Sequence, residues 1–370
     1  MPNSRIVLPA GIVMKRKVLI AMSGGVDSSV AAYLMQSQGY DCCGCTMKLW
    51  ENETIGFSRG HTCCSLDGVD DARAVAFGLG IPYYVLNFRE EFRERVIEKF
   101  VRSYEVGLTP NPCIDCNRFM KFGALYERAG VLGFEYIVTG HYARIERQNG
   151  RFLLKKALDA AKDQSYVLYG MTQGQLSHTI FPLGNLTKSE TRAIAEEHCL
   201  LNAAKPDSQD ICFVPDGDYV RFMERYTGTT YPAGDFLDGD GAIVGKHRGA
   251  VAYTIGQRRG LGLSMRKPVY VLGKSMEENT VTVGEESGLY RRRLLADDLN
   301  WIAFDTPPAR FRATAKTRYR QLEQPATVTV KRDNRITVEF DEPQRAITPG
   351  QAVVLYDGDT VIGGGTIRMV

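Results

Sequence analysis

Long apolar runs are missing from this sequence of 370 residues, since none approaches the ~20 residues that a helix needs to cross a bilayer. The N-terminal stretch MPNSRIVLPAGIVMKRKVLI is basic and mildly apolar. Pro9 and Gly11 interrupt it and no A-x-A-like site follows, so it does not fit a signal peptide. Internal repeats and low-complexity tracts are also missing. We therefore expect a cytoplasmic protein without a membrane segment, in which residues 1–14 form a flexible extension.

A strong excess of either charge is missing as well, because the formal net charge is only +3. So small an excess gives no argument for a nucleic acid partner, and the positions of the basic residues have to decide. The composition is ordinary for a globular protein, 44% hydrophobic and 24% charged, which argues against wholesale disorder. The nine cysteines are an odd number. Without export they indicate metal, cluster or thiol chemistry rather than a disulfide framework.

The first half of the chain alternates short apolar runs with helical patterns. KVLIAM, IPYYVLN and YIVT are typical of buried strands, and helices are predicted over 29–38, 70–80 and 90–106. This alternation predicts an α/β domain with a parallel sheet over 15–215, with its ligand at the carboxyl ends of the strands. After about Pro215, period-2 runs separated by Gly, Asp and Pro predict two small β-rich domains, over 216–288 and 289–370, the last a β-barrel.

The string AMSGGVDSS, residues 21–29, joins the first strand to the first helix. Gly24 and Gly25 permit a tight turn in which backbone N–H groups approach an anion, and the positive end of the helix points to the same place. The string therefore predicts a pyrophosphate cradle, and Asp27 would tolerate phosphates if Mg²⁺ lay between them. It is neither a Walker P-loop nor a G-x-G-x-x-G motif. It resembles the loop of PP-loop ATPases, which split ATP between the α and β phosphates and adenylate their substrates.

The cysteines fall into several environments. Cys42 and Cys43 lie in apolar, strand-like sequence, which predicts buried and inert thiols, and Cys199 after a helical stretch is expected in the core. His61, Cys63 and Cys64 lack the second spaced pair that a zinc site needs.

Three cysteines remain that we expect to be reachable. Cys113 and Cys116 form a C-x-x-C pair in TPNPCIDCNRFMKFG, which we place in a loop, and Cys212 lies in the polar loop KPDSQDICFVPDGD. The nearby cations Arg118 and Lys121 would lower the pKa of these thiols and favour thiolates that attack or ligate.

Seven strings occur in order along the chain: SGGVDSS, HTCCSLDGVDDARAVAFGLGIPYYVLN, TPNPCIDCNRFMKFG, VTGHYARI, KDQSYVLYG, DSQDICF and YTIGQRRGLGL. Together they resemble the tRNA-specific 2-thiouridylase (MnmA/TrmU) family. The resemblance implies that ATP with Mg²⁺ adenylates O2 of uridine 34 in the anticodon of Lys, Glu and Gln tRNAs, releasing pyrophosphate. Sulfur then displaces AMP at C2. It also implies a tRNA-binding role for the central domain.

The resemblance carries site residues onto matching positions. It implies that Cys116 is the nucleophile and that Cys212 carries a persulfide, whose attack by Cys116 would free sulfide or leave a disulfide between the two. The implied ATP contacts are Ala21, Met22, Ser23, Gly24, Gly25, Val26, Asp27, Ser28, Met47 and Gly140. The implied tRNA contacts are Asn111, Pro112 and Cys113 at the target base, with Lys162, Asp163, Gln164, Arg318 and Tyr319 elsewhere.

Position 113 departs from the family pattern, since many members carry Asp there. Cys113, Cys116 and Cys212 would instead allow three irons of a [4Fe–4S] cluster to be held, with the fourth iron open to sulfide. Spacing alone leaves the persulfide relay and the cluster both open. A relay needs a cysteine desulfurase or sulfur carrier as donor, whereas free sulfide would suffice for a cluster.

Basic residues in the C-terminal domain follow a period of two. Arg310, Arg312, Lys316, Arg318 and Arg320 all fall on even positions, so on one strand they would share a face suited to a phosphate backbone. Tyr319 has the opposite parity and would stack on a base only where the strand ends or bends. His141, in the string VTGHY, fits either a functional role or a purely structural hydrogen-bond network.

Three other functions fit parts of the sequence. A 4-thiouridine synthase should carry further RNA-binding modules, which we do not find, and an amidotransferase-type ligase would not need Cys116 and Cys212. A non-catalytic tRNA- or metal-binding protein would not need an intact SGGVDSS loop. We therefore expect a tRNA-uridine 2-sulfurtransferase that works as a monomer.

Overall fold

The computed structural model describes residues 15–51, 66–206 and 211–369. The predicted extension over 1–14 and the group His61, Cys63 and Cys64 lie outside the described residues. Within them, no helix is both long enough and apolar enough to cross a membrane.

A five-stranded parallel sheet organises the first part of the chain, in the order β3-β2-β1-β4-β7. Val18, Leu19 and Ile20 of the central strand are at most 1% exposed, because apolar residues cover both faces of a parallel sheet. The predicted parallel α/β fold is confirmed. The strands are β1 (Lys17–Ala21), β2 (Asp41–Lys48), β3 (Tyr83–Asn87), β4 (Tyr136–Thr139) and β7 (Thr179–Ile180).

The helices around this sheet match the three predicted ones in place, with small shifts at their ends. The described helical segments up to residue 227 are Val26–Ser37, Leu66–Gly78, Arg89–Phe92, Arg93–Ile97, Glu98–Glu105, Pro112–Asp115, Cys116–Ala124, Leu125–Val131, Ser165–Leu168, Gln173–Ser177, Lys188–Glu197 and Tyr219–Thr227. Two long helices are composite, because residues 89–105 contain the π-helical segment Arg93–Ile97 and residues 112–131 contain the π-helical segment Cys116–Ala124. We call residues 112–131 the cysteine helix.

The central domain is a four-stranded sheet in the order β10-β11-β8-β9. Its core contains the fully buried Phe236, Val271 and Val281, and two 3₁₀ turns (Ala250–Ala252 and Glu286–Leu289) flank it. Its strands are β8 (Gly234–Leu237), β9 (Ile243–His247), β10 (Tyr270–Ser275) and β11 (Thr280–Gly284).

The C-terminal domain is a closed barrel of six strands, because β12 pairs with both β15 and β17. The predicted β-barrel is confirmed. A hairpin from the α/β domain extends this sheet through β17, a connection that the sequence did not predict. The strands are β5 (Ala143–Gln148), β6 (Arg151–Lys156), β12 (Tyr290–Trp301), β13 (Arg310–Lys316), β14 (Gln324–Val330), β15 (Ile336–Arg345), β16 (Ala352–Asp357) and β17 (Thr360–Met369).

Candidate active site at the carboxyl edge of the parallel sheet

The loop after β1 has the tight geometry that its glycines predict. Gly24 has φ +74°, and a Cβ there would stand 2.3 Å from the carbonyl oxygen of Gly68, so only glycine fits without displacing backbone. Gly25 is the N-cap of the helix Val26–Ser37, and its carbonyl accepts from the hydroxyl groups of Ser28 (3.0 Å) and Ser29 (3.1 Å). The first backbone N–H groups of that helix are thus presented at the end of the central strand, which suits an anion.

Two side chains far along the sequence fasten this loop. Nδ2 of Asn202 donates to the carbonyl of Gly24 (3.1 Å) and to the hydroxyl of Ser29 (2.8 Å). Nζ of Lys205 donates to the same carbonyl (3.3 Å) and pairs with Asp71 (2.6 Å). The sequence did not predict these hydrogen bonds to the loop, because the partners are about 180 positions apart and no local pattern joins them.

The Asp27 carboxylate is already engaged at one oxygen. Oδ1 accepts from the hydroxyl of Tyr142 (2.9 Å) and from Nζ of Lys188 (2.6 Å). Since Mg²⁺ in nucleotide sites uses one or two carboxylates together with phosphate oxygens, Oδ2 of Asp27 is the atom that fits a metal role. The expected role of Asp27 beside Mg²⁺ is compatible with this geometry. The ammonium of Lys188 holds the carboxylate in place.

Met47 lies on β2 and Gly140 directly follows β4, the two strands that flank β1 and its loop. A Cβ on Gly140 would stand 2.8 Å from the carbonyl carbon of Asp27 and 2.8 Å from the amide nitrogen of Ser28. Met47 is buried near the end of β2, two positions beyond the residue paired with Ala21. Both predicted ATP contacts are therefore at the same sheet edge as the loop.

His141 follows Gly140 and lies in a buried hydrogen-bond network. Its Nδ1 is 2.7 Å from the hydroxyl of Thr139 and its Nε2 is 3.3 Å from Nζ of Lys121. Burial, together with the charge of Lys121, holds the pKa of His141 well below its usual value, so the imidazole is neutral. An ammonium can only donate, so Nε2 accepts and the ring proton is on Nδ1. His141 therefore belongs to a structural hydrogen-bond network, as one of the two interpretations predicted. Through Lys121 this network extends to the cysteine helix.

The C-x-x-C pair is not in a loop, contrary to expectation. Asn111 is an N-cap whose Oδ1 accepts from the backbone N–H of Cys113 (3.1 Å), and Pro112 takes the first helical position. An Asn-Pro pair is a typical helix start, so the sequence did carry this signal. As a result Cys113 is exposed in the first turn, whereas Cys116 is partly buried.

Two ion pairs hold the cysteine helix around Cys116. Asp115, 5% exposed, pairs with Nζ of Lys99 at 2.6 Å, and burial raises the pKa of its carboxyl against the opposing charge of Lys99. Arg118 pairs with Asp298 of the barrel strand β12 at 2.7 Å. The helix is thus fixed both to residues 89–105 and to the C-terminal domain.

Cys212 is anchored by the buried residue that follows it. The next residue, Phe213, is 1% exposed and packs edge-on against Phe92 and Phe100, with ring centroids 5.8 and 5.2 Å apart. Cys116 and Cys212 are both partly buried against this same core cluster. The two predicted reactive cysteines therefore border the same hydrophobic core.

The described residues do not gather a metal site around these cysteines. Within residues 15–51, 66–206 and 211–369, no group of three or more His, Cys, Asp or Glu side chains is placed to hold a metal ion. Cys113, Cys116 and Cys212 therefore do not form a ready three-thiolate site, and the described donors do not fit a cluster.

The cysteines outside this region differ in burial. Cys42 and Cys43 are buried as expected, and burial raises the pKa of each thiol to about 11. The expectation that Cys199 lies in the core is wrong, because it is exposed. Its backbone has φ +49° where the helix Lys188–Glu197 ends, and the following Leu200 turns inward instead.

The barrel forms hydrogen bonds with the segment that precedes the cysteine helix. The backbone N–H of Thr109 donates to the carbonyl of Pro349 (2.9 Å), and Nε2 of Gln351 donates to the carbonyl of Thr109 (2.8 Å). A Cβ on Gly350 would stand 2.7 Å from the amide nitrogen of Thr109. The two domains therefore meet directly beside the predicted base contacts Asn111 and Pro112.

The predicted tRNA contacts in the α/β domain also organise its backbone. Asp163 accepts from the backbone N–H of Ala157 (3.0 Å) and from the hydroxyl of Ser165 (2.7 Å). Gln164 accepts from the backbone N–H of Tyr142 (2.9 Å), and Lys162 lies partly buried in the same loop. These contacts hold the loop against the residue that follows His141.

Arg318 and Tyr319 lie just beyond β13, which ends at Lys316. Tyr319 therefore lies past the end of the strand, which is the condition under which its ring was expected to be able to stack on a base. The guanidinium of Arg318 is committed within the protein, since it donates to the carbonyls of Ile255 (2.9 Å) and Ala346 (3.0 Å). Tyr319 is 37% exposed, and burial followed by the charges of Asp163 and Cys113 raises its pKa. The centroid of its ring lies 6.0 Å from that of the fully buried Tyr166.

The basic stripe is shorter than the sequence suggested. Arg310 and Arg312 lie exposed on one face of β13, and Lys316 at the end of the strand has the same parity. Arg312 pairs with Asp341 at 2.6 Å, which offsets part of its charge.

Family models cover nearly the whole chain. A model described as the tRNA methyl transferase HUP domain matches residues 16–216, one described as the tRNA methyl transferase PRC-barrel domain matches 220–285, and one described as the aminomethyltransferase beta-barrel domain matches 291–367.

Full-length relatives carry one name. A tRNA-specific 2-thiouridylase MnmA of Clostridioides difficile (strain 630) is 49% identical over 96% of this chain and 99% of its own. Its counterpart in Moorella thermoacetica is 52% identical over 95% of this chain and 99% of its own. Among solved structures, the U34-tRNA thiolase NcsA from Methanococcus maripaludis with its [4Fe-4S] cluster is 19% identical over 58% of this chain with a TM-score of 0.32, too low to bear on the chemistry.

Proposed function

The chain belongs to the tRNA-specific 2-thiouridylase family, and from that premise we propose how it thiolates a tRNA uridine. ATP adenylates O2 of uridine 34 in Lys, Glu and Gln tRNAs, and sulfur carried as a persulfide on Cys212 replaces the activated oxygen with the help of Cys116. The chain of contacts from the nucleotide loop to the cysteine helix carries this proposal. Gly140 packs on the loop, His141 follows it, and Lys121 of the cysteine helix reaches His141 at 3.3 Å.

Adenylation uses the cradle at the end of β1. The N–H groups of the helix that begins at Val26 and the hydroxyl of Ser23 would bind the phosphates, and Asp27 would hold Mg²⁺ through its second carboxylate oxygen. Attack by O2 on the α phosphorus, with loss of the proton on N3, breaks the bond to pyrophosphate, which leaves with the electron pair. The oxygen at C2 then belongs to an AMP leaving group, which departs far more readily than free oxygen.

Sulfur transfer uses the two cysteines that share a core. Cys116 attacks the Cys212 sulfur of the persulfide, the S–S bond breaks, and the terminal sulfur leaves as sulfide while a Cys116–Cys212 disulfide forms. The sulfide adds to C2 and AMP leaves with the electron pair of the C2–O2 bond. A thiol reductant then restores both thiols. Since sulfur must arrive as a persulfide, we propose a cysteine desulfurase or a sulfur-carrier protein as donor.

The placement of the thiols favours this relay over a cluster. A [4Fe–4S] site needs its three thiolates around one point, and no such group exists among the described residues. Anaerobic purification followed by iron analysis and absorbance decides the matter. An iron-free protein that makes 2-thiouridine with a desulfurase agrees with the relay. About four irons per chain with a band near ~400 nm, both lost in Cys113→Ala, would establish the cluster instead.

The function is tested with purified protein, unmodified tRNA for Lys, ATP, Mg²⁺, cysteine and a cysteine desulfurase. We expect 2-thiouridine in the digested tRNA from the wild type, and none from Cys116→Ser or Cys212→Ser. Cys199→Ser is the matched control, because Cys199 is exposed and lies after the helix Lys188–Glu197.

Pyrophosphate release separates lost chemistry from lost folding. Adenylation needs neither thiol, so Cys212→Ser should still release pyrophosphate when tRNA is present. Wild-type activity in Cys212→Ser, or a wild type that makes 4-thiouridine, would refute the proposal.

A further inference from the structure

The basic side chains around Cys116 differ in their partners. Lys99 is neutralised by Asp115 at 2.6 Å, and Arg118 by Asp298 at 2.7 Å. Lys121, on the same helix as Arg118, lies 3.3 Å from Nε2 of His141, and within the described part of the chain no carboxylate forms an ion pair with it.

That partner cannot balance the charge. His141 is 7% exposed and neutral, its Nε2 accepts from Lys121 and its Nδ1 donates to Thr139 at 2.7 Å. The imidazole therefore orients the ammonium without cancelling it. A partly buried positive charge that the protein orients but does not neutralise is arranged to meet an anion.

The location of Lys121 specifies which anion. Hydrogen bonds in a π-helix join residues five apart, so in the segment Cys116–Ala124 the lysine lies about one turn from Cys116. Its partner His141 follows Gly140, which packs against the backbone of Asp27 and Ser28 in the nucleotide loop. The ammonium thus lies between the phosphate cradle and the reactive cysteine.

In the proposed reaction this position belongs to the α phosphate. The uracil oxygen joins the α phosphorus to C2, and C2 is the atom that sulfur attacks. Resting on the proposed function, we propose that Lys121 binds a nonbridging oxygen of the α phosphate, first in ATP and then in the adenylated uridine.

Charge grows on that phosphate in both steps. When O2 attacks phosphorus and pyrophosphate leaves, the phosphoryl oxygens gain negative charge in the transition state. When sulfur adds to C2 and the C2–O2 bond breaks, the electron pair goes to the departing AMP. An oriented ammonium stabilises both changes, and loss of one such donor typically costs about 100-fold in rate.

The test measures tRNA-dependent pyrophosphate release by Lys121→Gln, Lys121→Arg and the full-length wild type. ATP and the two diastereomers of ATP with sulfur on the α phosphorus serve as substrates. Arg128→Gln is the matched control, because it removes an exposed charge from the same helix, where Arg128 lies over the ring of Phe88.

We expect Lys121→Gln to lower release from ATP by about 100-fold and Lys121→Arg to recover part of that loss, with Arg128→Gln at the wild-type rate. The wild type should prefer one diastereomer, and Lys121→Gln should lose most of that preference, because a contact to a single oxygen is gone. Equal loss with both diastereomers, or no loss, overturns the assignment. A wild type that releases no pyrophosphate with any tRNA refutes the proposed function itself, and the role of Lys121 falls with it.

Discussion

Gly140→Ala tests whether the nucleotide loop and β4 form one rigid unit. The added Cβ would stand 2.8 Å from the carbonyl carbon of Asp27 and from the amide nitrogen of Ser28. That is about 0.7 Å short of the ~3.5 Å at which carbon atoms pack. Both opposing atoms are backbone at the start of the helix Val26–Ser37, so no side chain can rotate away and the helix start has to move.

Two magnitudes follow from this displacement. Overpacking of this kind costs about 1–3 kcal/mol of unfolding free energy, which the rest of the fold tolerates. The effect on catalysis is larger, since a misplacement of 1 Å costs about 100-fold, and we expect tRNA-dependent pyrophosphate release to fall roughly 30-fold. A stopped assay for pyrophosphate and a thermal melt measure the two effects separately.

Gly130→Ala is the matched control. A Cβ on Gly130 meets nothing within 4 Å and the residue lies inside the helix Leu125–Val131, so this change should stabilise the protein by about 0.4–1 kcal/mol and leave activity unchanged. If Gly140→Ala released pyrophosphate at the wild-type rate, the contact between β4 and the loop would not position the nucleotide. The reasoning would then be wrong.

Three further predictions concern side chains around the site. Asn111→Ala removes the cap of the cysteine helix and should lower the unfolding free energy in urea by about 1 kcal/mol, whereas Asn111→Asp should keep most of it. Arg318→Met leaves the carbonyl of Ile255 without its donor, whereas that of Ala346 still accepts from the hydroxyl of Thr348, and should cost about 2 kcal/mol by the same measurement, with the exposed Arg320→Met within about 0.5. The pKa of His141 is depressed in the folded protein, so below pH ~6.5 the unfolded chain binds a proton that the folded protein does not. The free energy of unfolding should therefore fall as the pH drops below ~6.5, by up to about 1.4 kcal/mol per pH unit. His141→Gln should flatten this dependence, and a variant as acid-sensitive as the wild type would show that His141 is not the group responsible.

The sequence predicted the parts of the site that local chemistry determines. Gly24 and Gly25 could be interpreted because a strand, two glycines and a helix N-terminus form a cradle wherever they occur together. The strand KVLIAM and the terminal β-rich runs could be interpreted because burial on both faces and period two leave direct patterns. The helix start at Asn111 and Pro112 was equally local, and placing the cysteine pair in a loop overlooked it.

The contacts that set charge and position were not predictable in this way. Lys121 meets His141 across 20 positions, and Arg118 meets Asp298 across 180. Each depends on how a helix packs against a sheet or a barrel, and no spacing in the sequence records that. Sequence alone therefore treated Arg118 and Lys121 as equivalent cations near the thiols, although Asp298 neutralises Arg118 and no carboxylate among the described residues pairs with Lys121.

Ion pairs connect the cysteine helix both to residues 89–105 and to the barrel. The contacts with the barrel suggest a role for that domain beyond binding tRNA. Arg118 pairs with Asp298 of β12, and the carbonyl of Thr109 accepts from Gln351, so the barrel contacts both the helix and the segment before it. A surface that bound only distant tRNA phosphates would not need such contacts. In the proposed reaction the position of Cys116 matters to fractions of an ångström, so we expect a movement of the barrel to affect it through these contacts. We therefore expect the barrel to help position the cysteine helix, because the α/β domain alone would lack the contacts from Asp298 and Gln351.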